Sequence, residues 1–182
     1  MDSAEQIRLH MVTSLMLTRI QPAQFFILAA VFMLVLLTFS PLAFAQNADE
    51  LAEDSETISA CLKRENPDNR ANCIGMVANP CLQLPEGQTT LGMANCHRRE
   101  ASVWDKRLNA QYKELMATLT PKAAKGLKNA QRAWIAFRDA YCDAVTLPFE
   151  GGSITKITSA NCYMDLTAHQ ALRLEAMETG IR

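Results

Sequence analysis

Six cysteines, Cys61, Cys73, Cys81, Cys96, Cys142 and Cys162, all fall downstream of one apolar segment that closes on Ala43-Phe44-Ala45. An even set of cysteines beyond an export signal reads as disulfides formed in an oxidising compartment, which restricts the chain to a stapled fold. The signal has its expected parts. Arg8 and Arg19 supply positive charge, Phe25 to Phe39 is nearly uninterrupted apolar sequence, Pro41 breaks the helix, and small residues occupy the A-x-A site at Ala43 and Ala45. Cleavage after Ala45 is expected, making residues 1–45 a signal peptide. The competing reading is an uncleaved anchor, since Phe25 to Phe44 approaches the ~20 residues that span a bilayer. The A-x-A site and the polar Gln46-Asn47-Ala48-Asp49-Glu50 after it favour processing. The expected location is periplasmic or secreted, with no stable membrane insertion after cleavage.

Beyond Gln46 the pattern is helical throughout. Leu51, Ile58 and Leu62 share a face of a short helix over Asp54–Glu65. Asn66-Pro67-Asp68-Asn69 is a turn, a short apolar piece from Cys73 to Val77 ends at Asn79-Pro80, and Pro85-Glu86-Gly87 is a loop. Thr89 or Thr90 can cap a long helix over Leu91–Leu119, with Met93, Cys96, Trp104, Leu108, Leu115 and Leu119 as its apolar stripe. Thr120-Pro121 restarts the chain, with threonine at the cap and proline where its missing N–H costs nothing. The next helix, Pro121–Val145, places Leu127, Ala130, Trp134, Phe137, Tyr141 and Val145 on its expected inner face. Pro148 to Ser153 is a loop, and a last helix spans Thr155–Thr179 through Ile157, Cys162, Leu166, Leu172 and Leu174. Strand-like alternation is absent. The fold class is all-α: a small bundle of about three main helices behind a short, disulfide-rich helical N-terminal extension.

Six cysteines can pair in fifteen ways, and sequence alone does not choose. Nearest-neighbour pairing is the expectation: Cys61 with Cys73 closing the N-terminal turn, Cys81 with Cys96 at the start of the long helix, Cys142 with Cys162 across the glycine loop. No metal or cofactor is expected, because there is no C-x-x-C pair and His97 and His169 lack ligand-like spacing. A thiol oxidoreductase is excluded on the same ground. With 18 Lys and Arg against 19 Asp and Glu, nothing points to nucleic acid as a partner.

From Cys96 onward an ordered set of residues forms a recognisable pattern. It runs through Glu100, Trp104-Asp105, Leu108-Asn109 and Tyr112, then Leu127, Gln131, Trp134, Phe137-Arg138-Asp139 and Cys142. It closes with Gly151-Gly152-Ser153, Cys162, Thr167 and Arg173-Leu174. This pattern resembles the N-terminal domain of lysozyme-inhibitor LprI-like proteins, the YecT-like group of small exported bacterial proteins. The resemblance implies residues 81–182 as an LprI-like helical domain, preceded by a disulfide-bearing extension over 46–80. It also implies an envelope binding protein with lysozyme as a protein partner, acting on its active-site cleft. A periplasmic interaction module with an unrelated partner is the alternative. The lipidation cysteine of lipoprotein members is missing here.

No catalytic residue is assigned, and an enzyme is not expected. Glu100 and Asp105 sit five residues apart on one helix, so their side chains diverge by roughly 140° and cannot flank one glycosidic bond. Trp104, Leu108, Tyr112, Trp134 and Phe137 read as core. Asp105, Asn109, Gln131, Arg138, Asp139 and Arg173 read as polar residues that pair between facing helices. His97 and His169 are expected on the surface. The candidate contact surface is the loop after Leu147: Phe149 as an apolar anchor, Gly151 and Gly152 for close backbone approach, Ser153 and Lys156 for polar contacts.

Overall fold

The computed structural model describes residues 41–181, with side chains from Asp49 to Gly180. The export signal therefore lies outside the described residues, apart from residues 41–45. The chain divides into two units, 1–47 and 48–182, and the second carries the fold described here. Five α-helices follow in order: α1 (Pro41–Arg64), α2 (Ala78–Gln83), α3 (Thr90–Thr118), α4 (Pro121–Ala144) and α5 (Ile154–Ile181). Short 3-10 turns occupy Pro67–Cys73, Pro85–Gln88 and Leu147–Phe149, and no strand occurs among the described residues. No described helix is long and apolar enough to cross a membrane.

α3 and α4 start where their capping chemistry puts them. Thr89 Oγ1 accepts from Gly92 N at 2.9 Å and opens α3. Thr120 Oγ1 accepts from Ala123 N at 3.4 Å, with Pro121 in the first turn of α4. An N-cap of this kind contributes about 1 kcal/mol. The chain reverses at Thr120-Pro121 and again at the Gly151-Gly152 loop, where Gly151 holds φ +79°. As a result α3 and α5 run in the same direction, with α4 antiparallel beside both. α3 and α5 make the closest helix pair. Their approach is possible because α5 turns Ala168 and Ala171 inward, both inaccessible, into the core that holds Trp104, Val103 and Leu115 of α3.

The extension joins the same core. Ile58, Cys61 and Leu62 of α1 pack with Cys73, Val77 and Ala78. Arg99 of α3 holds Asp54 of α1 through two bonds of 2.6 and 2.7 Å, with Glu50 at 2.6 Å from its other nitrogen. That bidentate bond raises the Arg99 pKa above its ordinary value. Glu175 of α5 bridges Arg107 at 3.0 Å and Arg70 at 3.3 Å. The sulfurs join Cys61 to Cys73, Cys81 to Cys96 and Cys142 to Cys162.

Several residues sit differently from the sequence expectation. Pro80 does not end a segment but lies in the first turn of α2, where a missing N–H has no intrahelical acceptor to lose. Phe137 and Tyr141 are not core: they are 53% and 48% exposed and stack on each other with centroids 5.5 Å apart. Ala130 is exposed as well. The buried seam of α4 runs instead through Leu127, Gln131 and Cys142. Cys142 must face Cys162 to form its bond, and on a helix Tyr141 then points about 100° away from it. On α5 the inward column is Ala160, Met164, Thr167, Ala168, Ala171 and Leu174, with Leu166 and Leu172 only partly buried.

His97 is buried rather than exposed, at 9%, and its Nδ1 meets no partner. Burial lowers its pKa below 6.5, with the nearby Glu100 charge opposing that shift. The folded protein thus resists a proton that the unfolded chain accepts. Stability from this group is complete above about pH 6.5 and is lost as pH falls through that value towards the lowered folded pKa. We expect a His97→Leu variant to lose less stability than wild type between pH 7 and pH 5. Parallel urea midpoints for the two proteins across that range would contradict the assignment.

Candidate functional site

Two regions carry exposed recognition chemistry, both involving α4. The first is the tip joining α4 to α5. Leu147 is 64% exposed and Phe149 is 42% exposed, and Ile154 at the start of α5 also faces solvent. The tip is ordered by its own backbone: Phe149 N donates to Thr146 O at 2.9 Å, Gly152 N donates to Phe149 O at 2.9 Å, and Thr155 Oγ1 donates to the same carbonyl at 2.5 Å. Gly151 and Gly152 are exposed, and open space surrounds the Gly151 Cα where a side chain would project. Ser153 immediately precedes α5, and its hydroxyl bonds to nothing among the described residues. Lys156 and Glu150 are exposed and form no ion pair among the described residues. The Cys142–Cys162 bond closes the base of this loop across 20 residues.

The second region is a groove between α3 and α4. It is lined by Leu108, Asn109 and Tyr112 from one helix and Lys128, Gln131, Arg132, Trp134 and Ile135 from the other. Five members of the sequence pattern, Leu108, Asn109, Tyr112, Gln131 and Trp134, therefore meet on one surface. Lys128, Arg132 and Ile135 were not among the sequence candidates. Their spacing around Gln131 carried the signal, because residues one turn apart share a helix face.

Polar residues of the pattern divide into separate pairs. Asn109 Nδ2 donates to Asp105 Oδ2 at 2.9 Å within α3. Arg138 pairs with its neighbour Asp139 at 2.9 Å and lies 5.0 Å from the Trp134 ring centroid and 5.1 Å from that of Tyr163. The Tyr163 contact holds α4 to α5 by about 0.5–1 kcal/mol, while the Trp134 contact lies within α4. The Tyr163 pKa is raised, first by burial and then by the charges of Asp139 and Asp143, with Arg138 acting against them. Arg173 reaches Gln131 only through Gln170: Nη1 donates to Gln170 Oε1 at 3.3 Å, and Gln170 Nε2 donates to Gln131 Oε1 at 2.7 Å. Of the six polar residues expected to pair between helices, Gln131 and Arg173 belong to an interhelical hydrogen-bond chain. Asp105 with Asn109, and Arg138 with Asp139, pair within one helix.

Glu100 is the residue whose role sequence reasoning missed. It is completely buried. Its Oε1 accepts from Gly75 N at 2.6 Å and Trp104 Nε1 at 2.9 Å, and its Oε2 from Val77 N at 3.0 Å and Ala78 N at 2.7 Å. Val77 has no capping side chain of its own, so Glu100 caps α2 from another helix. Gly75 sits at φ +95°, a conformation open to glycine, and this lets its N–H point at the carboxylate. No group of three or more metal-ligating side chains occurs among the described residues.

A sequence model of the family described as lysozyme inhibitor LprI matches residues 81–174, just over half of the chain. The chain is similar to "Uncharacterized protein R02472" of Rhizobium meliloti (strain 1021), with 31% identity over 99 residues, 47% of this chain and 71% of that protein. It is also similar to "Uncharacterized 17.7 kDa protein in puhA 5'region" of Rhodobacter capsulatus. There the identity is 23% over 163 residues, 81% of this chain and 95% of the relative. No solved structure matches the chain.

Proposed function

This chain belongs to the lysozyme inhibitor LprI family, and we propose on that basis that it is an exported envelope protein that binds lysozyme and occludes its active-site cleft. The signal read from residues 1–45 and the three disulfides support export. Binding without catalysis is the mechanism proposed. The observation that carries it is the exposed Phe149 on a crosslinked tip, beside the exposed carboxylate of Glu150.

An apolar side chain held out on a closed loop can enter a cleft with little further loss of conformational freedom. Gly151 and Gly152 let the backbone follow it closely, and Ser153 and Lys156 remain available for polar contacts. Lysozyme is a basic protein, so Glu150 at the tip offers charge complementarity and Lys156 sets a limit on it.

Oxidised protein beginning at Gln46 would be titrated into chicken-, goose- and invertebrate-type lysozymes while cell-wall lysis is followed. Inhibition of at least one type is expected. Phe149→Ala should weaken it about 30-fold, the effect of losing one interface anchor worth about 2 kcal/mol. No inhibition of any type at micromolar concentration would rule out lysozyme and leave the envelope interaction module. Inhibition that Phe149→Ala leaves unchanged would move the contact to another surface.

A further inference from the structure

We propose that the groove between α3 and α4 is a second binding site, separate from the tip, for an N-acetylated sugar acid. It presents three kinds of chemistry side by side. Tyr112 and Trp134 supply aromatic surface, against which the apolar face of a pyranose ring packs. Lys128 and Arg132 are exposed, form no ion pair among the described residues, and share a lining that contains no carboxylate. That combination suits an anion and disfavours a cation. The cavity, about 200 Å³, has the scale of a single sugar ring.

The amide groups are oriented from behind. Arg173 is a donor only, so Gln170 must turn its Oε1 towards it and its Nε2 towards Gln131. Gln131 must then accept through Oε1, which leaves its –NH2 without an acceptor among the described residues. Gln131 is 7% exposed and lines the groove, so this free donor end is available to an acceptor placed there. Asn109 is set in the opposite sense: its Nδ2 is engaged by Asp105, so its Oδ1 is left to accept. A donor from Gln131 and an acceptor from Asn109 match the C=O and N–H of an acetamido group. The two cations match a carboxylate on the same ring.

The probes are N-acetylmuramic acid and its neutral counterpart N-acetylglucosamine, titrated into the oxidised protein. Binding is read by calorimetry and by tryptophan emission. The chain has two tryptophans, and Trp104 is fully buried, so a change that Trp134→Phe abolishes reports the groove. The acid should bind about tenfold more tightly than the neutral sugar. Lys128→Ala with Arg132→Ala, both surface changes, should abolish that preference while helical circular dichroism stays the same. Arg173→Met should weaken both sugars about equally, because it disturbs the amide relay and leaves the cations in place. Equal affinity for the two sugars, or no binding of either up to ten millimolar, would overturn the proposal. A double variant that keeps the preference for the acid would do so as well. Lysozyme is absent from this experiment, so its outcome is independent of the tip.

Discussion

Replacing Glu100 with alanine is expected to lower the unfolding free energy by about 3–5 kcal/mol. Four N–H donors converge on this one carboxylate: the backbone of Gly75, Val77 and Ala78, and the Trp104 indole. Alanine would leave all four without their acceptor in a site with no solvent exposure. Each buried donor left unpaired costs about 1–3 kcal/mol, and water entering the vacated space offsets part of the sum. Glu100→Gln is the sharper test, since it preserves shape. An amide retains one acceptor oxygen and turns an –NH2 towards two N–H groups, so a cost of about 2 kcal/mol is still expected. Urea unfolding monitored at the tryptophans would measure both. If Gln proves neutral, the carboxylate is not what holds α2 and the preceding turn to α3.

The second large effect is expected from Cys142→Ala combined with Cys162→Ala. The bond between them closes 20 residues, for which loop entropy gives about 3 kcal/mol of stabilisation. Cys142 is fully buried, and the bond sets the rotation of α4 as well as the base of the tip. The double variant should therefore lose lysozyme inhibition by more than its stability alone requires, because Phe149 would be presented from a freer loop. Inhibition would be compared at a temperature where both proteins are folded. Full inhibition at unchanged affinity would show that the crosslink serves stability alone. Reduction with a thiol would be less informative, since it opens all three bonds together.

Much of the helical layout was legible in the sequence because its signals are local. Thr89 and Thr120-Pro121 mark helix starts by a hydrogen bond made within three residues. The glycines at 151 and 152 mark the second reversal. Trp104, Leu108, Leu115 and Leu127 were recognisable as core from their spacing, and all four are buried. The groove was half legible: five of its lining residues belong to the family pattern, but nothing in their order showed that they face one another.

Rotation was the missing quantity. α4 carries two neighbouring apolar columns, and periodicity cannot say which of them faces inward. One holds Leu127 and Trp134; the other holds Phe137 and Tyr141. The bond from Cys142 to Cys162 and the contact from Gln131 to Gln170 select the first and leave the second in solvent. On α5 the leucines suggested the inner face, whereas close approach to α3 requires the alanines there.

By itself, the sequence determined an all-α chain of capped helices with a family pattern from Cys96 onward, since capping, turn chemistry and helical period act over a few residues. Only the tertiary structure decided that Glu100 is a buried cap, that His97 is interior and that Lys128 and Arg132 border a groove with Gln131. The Glu100 cap and the Gln131–Gln170 bond join residues 22 to 39 positions apart, where no local rule reaches.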